Sequence, residues 1–408
     1  MKAMVIAGGV PQMELLRQLK ERKIETVLLD GNENCLARAI PDKFYKVNIF
    51  NIEDVKKIAV DEKVDFIITV CADQVLLVVA EVSEMLGLPC YIGYKQAQDV
   101  SDKIRMKKIF KENKIPTTKY LELKSLDMNE IAKLNYPLVV KPVDAYSSKG
   151  VRKAETEKEL IAYYNEAKKI SRSGGVIVEE FFEGEEISVD VFVLNGKAHI
   201  LSITNSEKVK DKDRFVIFRG RYPAAIPDTI RNQIEDVAQK IADSFGLVNS
   251  PLLVQLLHNN ENISVLEFCA RTGGNMKWLL IKNSCGVDVI TATIDITLGL
   301  VPDITPKEVN NNVVVNDFIY CKPGVFDHFE GFDELVEKGI INEFHPVRTK
   351  GTEMHGVTSS SDRIAGMNII ADSVDEYNKK LRIILDHIAV IDTEGNDMTR
   401  RDLLPEMN

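Results

Sequence analysis

Val176-Ile-Val-Glu179-Glu180-Phe181-Phe182-Glu183-Gly184-Glu185-Glu186-Ile187-Ser188-Val189-Asp190 decides how this 408-residue chain is read. Its first three residues form a short apolar run, as a buried strand requires. Ile187, Val189, Val191 and Val193 then alternate with Ser188 and Asp190, the period of a second strand. Asn195-Gly196 follows closely and is the strongest short hairpin signal. Between the two strands lies an acidic linker holding two phenylalanines. An extended linker offers backbone donors and acceptors to the edge of a planar base, and a carboxylate beyond it can accept from ribose hydroxyls. A solvated acidic hairpin loop reads the same residues, although Phe181 and Phe182 argue against pure solvation.

Moving upstream, Leu138-Val-Val-Lys141-Pro142 is a strand ending in a lysine. The small-residue segment Asp144-Ala-Tyr-Ser147-Ser148-Lys149-Gly150-Val151 comes next. Short side chains let backbone N–H groups approach phosphate oxygens, and a lysine can neutralise them. The G-x-x-x-x-G-K-[ST] spacing of a Walker loop is missing. A surface turn remains the alternative for this segment alone.

Downstream, Leu252-Leu-Val-Gln255-Leu256-Leu257 and Ile263-Ser-Val-Leu266-Glu267-Phe268 read as a hairpin. A three-residue turn at Asn260-Glu261-Asn262 would set Gln255 directly opposite Glu267. Two oxygen-bearing side chains would then share one face, as Mg²⁺ requires. A register shifted by one would separate them and leave both as solvated polar residues. Arg271-Thr272-Gly273-Gly274-Asn275 follows. It is either a glycine turn with a surface arginine or a guanidinium fork beside close backbone amides, suited to a carboxylate or a moving phosphoryl group.

Farther out, the first ~95 residues alternate short apolar strands with helices, which predicts a doubly wound parallel sheet. Met4 to Ala7, Glu25 to Leu29 and Asp65 to Val70 are its strands; Pro11 opens a helix through Lys20, and residues 73–86 form another. Gly8-Gly9 with Asp30 at the end of the second strand superficially suggests a dinucleotide site. The G-x-G-x-x-G spacing is absent, so the phosphate-cradling turn is not built. Ser101 reads as the N-cap of a helix from Asp102 to about Asn113. Residues 228–245 carry Ile230, Ile234, Val237, Ala238 and Ile241 at helical spacing. From about Val313 to Asp402, short strands alternate with a helix near 374–388. No repeat or low-complexity stretch occurs.

The formal net charge is −10, and no basic stripe marks a nucleic-acid binder. The six cysteines, Cys35, Cys71, Cys90, Cys269, Cys285 and Cys321, form no C-x-x-C pair and no zinc spacing. No apolar run reaches the ~18 residues of a membrane helix. The N-terminus reads as a strand and not a signal peptide, so a cytoplasmic location with reduced thiols is expected.

Together, Asp102-Lys103, Lys141 with its loop, Glu179 to Asp190, Gln255, Glu267 and Arg271 resemble, in order and spacing, the ATP-grasp superfamily. Within it, carbamoyl phosphate synthetase, biotin carboxylase and above all the L-amino acid ligases share this arrangement. The resemblance covers nearly the whole chain. It implies an α/β fold with an α+β C-terminal part: a Rossmann-like domain over 1–97, an ATP-grasp N-terminal lobe with the phosphate loop over 98–178, a C-terminal lobe with the metal site over 179–312, and a lid-like subdomain over 313–408. It also implies roles. Lys103 and Lys141 contact ATP phosphates, Lys141 on the α-phosphate and adenine side. Ser147, Ser148 and Gly150 belong to the loop covering the β- and γ-phosphates. Glu179, Glu180 and Phe182 fall on the adenine linker, and Glu186 takes the ribose. Gln255 and Glu267 are metal ligands, and Arg271 stabilises an acyl phosphate. Gly273, Gly274 and Asn275 lie beside the substrate, and Arg363 is a candidate for its carboxylate, with a surface turn as the alternative.

One departure is Cys269, where the superfamily often has Asn. A thiol suits Mg²⁺ poorly, so one metal site is expected and a second is not secured unless Asn275 supplies an oxygen. The implied activity is ATP-dependent ligation: a carboxylate is phosphorylated and its acyl group passes to an amine, with ADP and phosphate as products. ATP and Mg²⁺ are the expected cofactors, with Mn²⁺ as the alternative metal. The expected partners are a small carboxylate and an amine such as an amino acid, in a homodimer, with no nucleic acid and no membrane. An ATP-grasp carboxylase or nucleotide-pathway ligase is the alternative enzyme. A non-catalytic nucleotide-binding regulator is the alternative of another class; both lysines, both metal positions and Arg271 argue against it.

Overall fold

The computed structural model describes residues 1–145, 148–209, 215–274, 276–307, 309 and 312–403. The N-terminal unit is a parallel sheet in the order Lys43–Lys46, Glu25–Asp30, Lys2–Ile6, Phe66–Ile68. The expected parallel α/β pattern is therefore present. Lys43–Lys46 and the helix Ile52–Glu62 lacked a sequence reading, because this strand is half exposed and carries no apolar run. Asp30 is spoken for: its carboxylate accepts from the backbone N–H of Gly8 at 2.7 Å and of Asn32 at 2.7 Å. It closes the sheet's own turns and leaves no dinucleotide-type acid.

The helix Lys103–Glu112 starts one residue later than expected. Ser101 ends the preceding helix, Tyr94–Ser101, and Asp102 caps the new one, accepting from Ile104 N–H at 2.9 Å and Arg105 N–H at 3.1 Å. A carboxylate satisfies two orphan amides and complements the helix dipole better than a hydroxyl. Lys103 and Lys107, four apart, share one face of this helix. Phe110, on the same helix, packs against Phe245 and Phe268 with ring centroids 6.2 and 6.0 Å away. Such aromatic pairs are worth about 1 kcal/mol each beyond their buried area. They pin the lysine-bearing helix to the large sheet.

The smaller lobe is an antiparallel sheet ordered Tyr120–Leu123, Val176–Glu180, Leu138–Pro142, Arg152–Ala154. The helix Glu157–Ile170 covers one face through Leu160, Tyr164 and Ala167. The larger sheet has eight strands: Ile263–Cys269, Ser250–His258, Glu185–Leu194, Lys197–Lys208, Ile217–Tyr222, Val313–Ile319, Ala365–Ala371 and Glu343–Pro346. Asn195 and Gly196, at φ 52° and 77°, make the expected two-residue hairpin turn between Leu194 and Lys197. The helix Asp228–Ser244 buries the five predicted apolar residues against Ile187, Val189, Val191 and Val193. Burying each of the isoleucines and Val237 contributes ~2 kcal/mol, and Ala238 less. Because strand residues alternate faces, Ser188 and Asp190 are turned to the opposite face. Three strands from residues 313–371 complete this sheet, and a three-stranded sheet of Glu353–Met354, Gly324–Glu330 and Ala389–Asp392 lies beyond it.

Candidate functional site

In the smaller lobe the centre is Glu179, 3% exposed. One carboxylate oxygen accepts from Lys107 Nζ at 2.8 Å and the other from Lys141 Nζ at 2.5 Å. The Thr118 hydroxyl donates at 3.2 Å. Burial alone would favour the neutral acid, but the two ammoniums prevail and hold the carboxyl at about 2. Burial pulls Lys107 below its ordinary value, against the attraction of Glu179. Two buried ammoniums thus share one carboxylate, and one positive charge is left over.

Glu180 ends the same strand. Its side chain accepts from Asn135, at 3.0 Å from the backbone N–H and 2.9 Å from the amide. Its backbone N–H donates to the Lys119 carbonyl at 3.0 Å. The N–H of Phe182, two residues on, has no partner among the described residues.

Gln255 stands directly opposite Glu267, by a different route from the one expected. His258 pairs with Ile263, so the turn has four residues and not three. A β-bulge then inserts Leu266 and shifts the register by one, restoring the Gln255–Glu267 pair. Gln255 Nε2 donates to Glu186 at 3.4 Å, which leaves its amide oxygen as an acceptor. Glu186 also pairs with Lys208 at 2.7 Å. Glu267 lies 3.0 Å from Lys103 Nζ, which donates in addition to the Ala145 carbonyl at 2.9 Å. Burial opposes ionisation of Glu267, yet Lys103 outweighs it and holds the carboxyl below its usual range. Lys103 therefore ties the start of the small-residue loop to the hairpin.

That loop turns through Ser148 and Gly150, both at positive φ (58° and 74°), where only glycine is unstrained. Ser147 and Asn275 lie outside the described residues. Arg271 projects from the end of the hairpin. Its Nε donates to Asp73 Oδ1 at 2.6 Å, its Nη2 to the other oxygen, and its Nη1 to the Thr272 carbonyl at 2.9 Å. Gly273 is required by a close approach: a Cβ there would sit 2.6 Å from Lys277 Cγ. Gly274 faces the Cys71 carbonyl of the N-terminal unit. Arg363 is held elsewhere: its Nε donates to the Tyr320 hydroxyl at 3.1 Å, its Nη2 to the Ile217 carbonyl at 2.9 Å, and it stacks on Phe318.

Cys269 bonds to Asp73, and burial pushes its thiol well above the usual range. A protonated thiol engaged with a carboxylate is no ligand for a hard cation. Gln255 and Glu267, by contrast, bring an amide and a carboxylate oxygen together, which fits one Mg²⁺ completed by nucleotide oxygens and water. Among the described residues, no group of three or more His, Cys, Asp and Glu could hold a metal alone.

Sequence reasoning missed Lys107, Asp73 and Lys208. Lys107 was readable as the i+4 neighbour of Lys103. Asp73 opens a helix at the carboxyl end of a parallel strand, the usual place for a ligand-facing group in an open α/β sheet. Lys208 carries no comparable signal.

A basic cluster around Glu179 thus lies beside oxygen donors on the larger sheet, an arrangement chemically suited to a phosphate-bearing ligand. Residues 134–278 match the ATP-grasp domain, and the chain's homologues are ATP-dependent ligases of that superfamily. It is 23% identical over 288 residues to the carbamoyl-phosphate synthase of Methanobrevibacter smithii, covering 69% of this chain and 76% of that protein. It is 25% identical over 224 residues to a D-alanine–D-alanine ligase of Prochlorococcus marinus, covering 49% of this chain and 61% of that ligase. Its fold matches an L-amino acid ligase from Bacillus licheniformis with a TM-score of 0.79 at 19% identity, over 96% of this chain and 98% of the other. No helix among the described residues is long and apolar enough to cross a membrane.

Proposed function

We propose that this chain is an ATP- and Mg²⁺-dependent carboxylate–amine ligase. It phosphorylates an amino acid or another small carboxylate and passes the acyl group to an amine. The observation that carries this reading is the surplus positive charge at Glu179. Lys107 and Lys141 share the single carboxylate of Glu179, so among the described residues this cluster holds surplus buried positive charge, as a polyphosphate requires. The named relatives support ligation, since one joins D-alanine to D-alanine and the fold neighbour joins L-amino acids.

The residues divide the work. The Phe182 N–H, unpaired among the described residues, can donate to a ring nitrogen of the base, and Glu186 can accept from the ribose. Lys103, Lys107 and Lys141 neutralise the phosphates, and Ser148 to Gly150 close over them. Gln255 and Glu267 would hold Mg²⁺, which supplies charge neutralisation at the β- and γ-phosphates when bound. A substrate carboxylate oxygen attacks the γ-phosphorus, and the bond to the β-phosphate oxygen breaks. Arg271 stabilises the acyl phosphate so formed. The amine then attacks the acyl carbon, phosphate leaves, and the closed loop keeps water from doing the same.

The test is phosphate release from MgATP with pairs of amino acids and with small carboxylates plus amines. Release with at least one pair is expected, and Glu267→Ala is expected to lower it by ~100-fold or more. Release confined to bicarbonate or to a purine intermediate would overturn amino-acid ligation. Turnover unaffected by both Lys141→Ala and Glu267→Ala would overturn the site.

A further inference from the structure

Arg271 does not stand alone at the end of its hairpin; the N-terminal unit holds it. The parallel strand Phe66–Ile68 ends in a turn in which Cys71 adopts φ 58°, and the helix Asp73–Leu86 begins there. Asp73, first in that helix and half-buried, reaches across 198 residues of sequence to take Nε and Nη2 of Arg271 side-on. The same carboxylate receives the Cys269 thiol. Nearby, the Tyr91 hydroxyl donates to the Ala270 carbonyl at 3.0 Å. Three consecutive residues at the strand end, 269 to 271, are thus gripped from the N-terminal unit.

A guanidinium has five N–H donors in a fixed plane. Three are used here, two by Asp73 and one by the Thr272 carbonyl. The two that remain belong to Nη1 and Nη2, at the far edge of the group from Nε. Fixing the side-on edge therefore decides where the far edge points. We propose that Asp73 is a positioning residue, which aims the Nη1–Nη2 edge of Arg271 at the tetrahedral oxyanion handled by this site. This role rests on the reading of Arg271 as the anion-facing group of the ligase.

A counter-ion and a positioning residue act in opposite directions on an anion. Asp73 carries a negative charge close to the site, so removing that charge should by Coulomb's law favour an anion. If the carboxylate instead holds the fork in place, its removal lets the guanidinium swing, and binding weakens. Inorganic phosphate, titrated calorimetrically into the full chain saturated with MgADP, separates the two. Asp73→Asn is expected to weaken phosphate by ~10-fold or more, since displacing a fixed charged group by an ångström is costly. Asp73→Glu, which keeps the charge on a longer arm, should fall between wild type and Asn. In an Arg271→Ala background, Asp73→Asn should have no further effect. MgADP affinity should change less than phosphate affinity in Asp73→Asn and Asp73→Glu, since Asp73 acts on Lys103 and Glu267 through charge alone and hydrogen-bonds directly to Arg271.

Tighter or unchanged phosphate binding in Asp73→Asn overturns the proposal, as does additivity of the two substitutions. Absence of phosphate binding to the wild type overturns it as well, because Arg271 would then read no oxyanion. If Asp73→Asn does not fold, Asp73→Glu and its combination with Arg271→Ala take its place. Weaker, non-additive phosphate binding then supports the positioning role, and tighter, unchanged or additive binding overturns it. Phosphate binding that follows this pattern in a chain without turnover for any substrate pair would break the ligase reading and leave the positioning role standing.

Discussion

Glu179 in the small lobe and Asp190 in the large one are both buried acids beside lysines, at 3% and 2% exposure, and they behave in opposite ways. Glu179 receives two ammoniums and a hydroxyl, and its carboxyl is held at about 2. Asp190 has one ammonium, Lys277, 3.0 Å away, and neither of its oxygens receives an aligned hydrogen bond. Lys277 also donates to the Thr204 hydroxyl, so its pull is divided. Burial therefore wins at Asp190 and raises its carboxyl to about 6, against Lys277 and Arg271. Equal burial does not set ionisation; the number and alignment of the cations do. The small lobe is built as a permanently charged cradle, and the floor of the large one as a group that titrates near neutrality.

The largest effect expected from this contrast is at Glu179. Glu179→Gln strands two buried ammoniums, and the loss is expected to be ~3–5 kcal/mol in urea unfolding at neutral pH. A loss under ~1 kcal/mol would mean that the cluster is hydrated and not the closed hub described. The pH dependence has a definite sign. Its folded value lies below the ordinary value of 4.5, so Glu179 contributes fully above that value and the contribution fades as pH falls towards 2.

Next in size is the loss of one lysine. Lys107→Met leaves Glu179 with Lys141, so stability should change far less than in Glu179→Gln. The surplus charge is gone, however, and ATP-dependent phosphate release is expected to fall by ~10²–10³. A variant that keeps full turnover would show that the cradle draws its charge from elsewhere, for example from Lys103 or Lys208.

This pair of acids also shows what the amino-acid sequence could convey. The elements were legible wherever local periodicity decides, as in the helix Asp228–Ser244 and the hairpin at Asn195-Gly196. The Gln255–Glu267 pairing was legible for a partly mistaken reason, since turn length and bulge made offsetting one-residue changes. Glu179 was singled out as part of a linker, but its role as the hub of an ionic trio was not readable. That role depends on a helix 72 residues upstream and a strand 38 residues upstream arriving on one carboxylate. Asp190 was visible only as an inward or outward position on a strand. What makes it unusual is Lys277 approaching from beneath a glycine turn, a tertiary fact with no local signature.

A third, smaller effect concerns pH. The folded value of Asp190 lies above the unfolded one, so the native state binds the extra proton between 3.8 and about 6. Its stability contribution is therefore lost as pH rises through that window. Asp190→Asn should remove this slope from a series of urea unfolding curves between about pH 4 and 7 while leaving the acid limb set by Glu179. A slope that persists in the variant would assign it to another group and break the contrast.

The smallest effect sharpens the contrast most, because it leaves both acids in place. Gly273→Ala sets a Cβ 2.6 Å from Lys277 Cγ and 3.0 Å from its Cβ, too near the helix backbone for the side chain simply to swing clear. Relief requires Lys277 and the glycine turn to part, at a cost of ~1–2 kcal/mol. Any such movement draws the ammonium away from Asp190 and removes part of the one interaction that opposes burial. The carboxyl should then rise further, moving the descending limb of the stability profile to higher pH. Glu179 has no contact with this turn, so the acid limb should not move. An unshifted descending limb, with the expected loss of stability, would show that Lys277 was not restraining Asp190, and the difference between the two acids would rest on the two lysines at Glu179 alone.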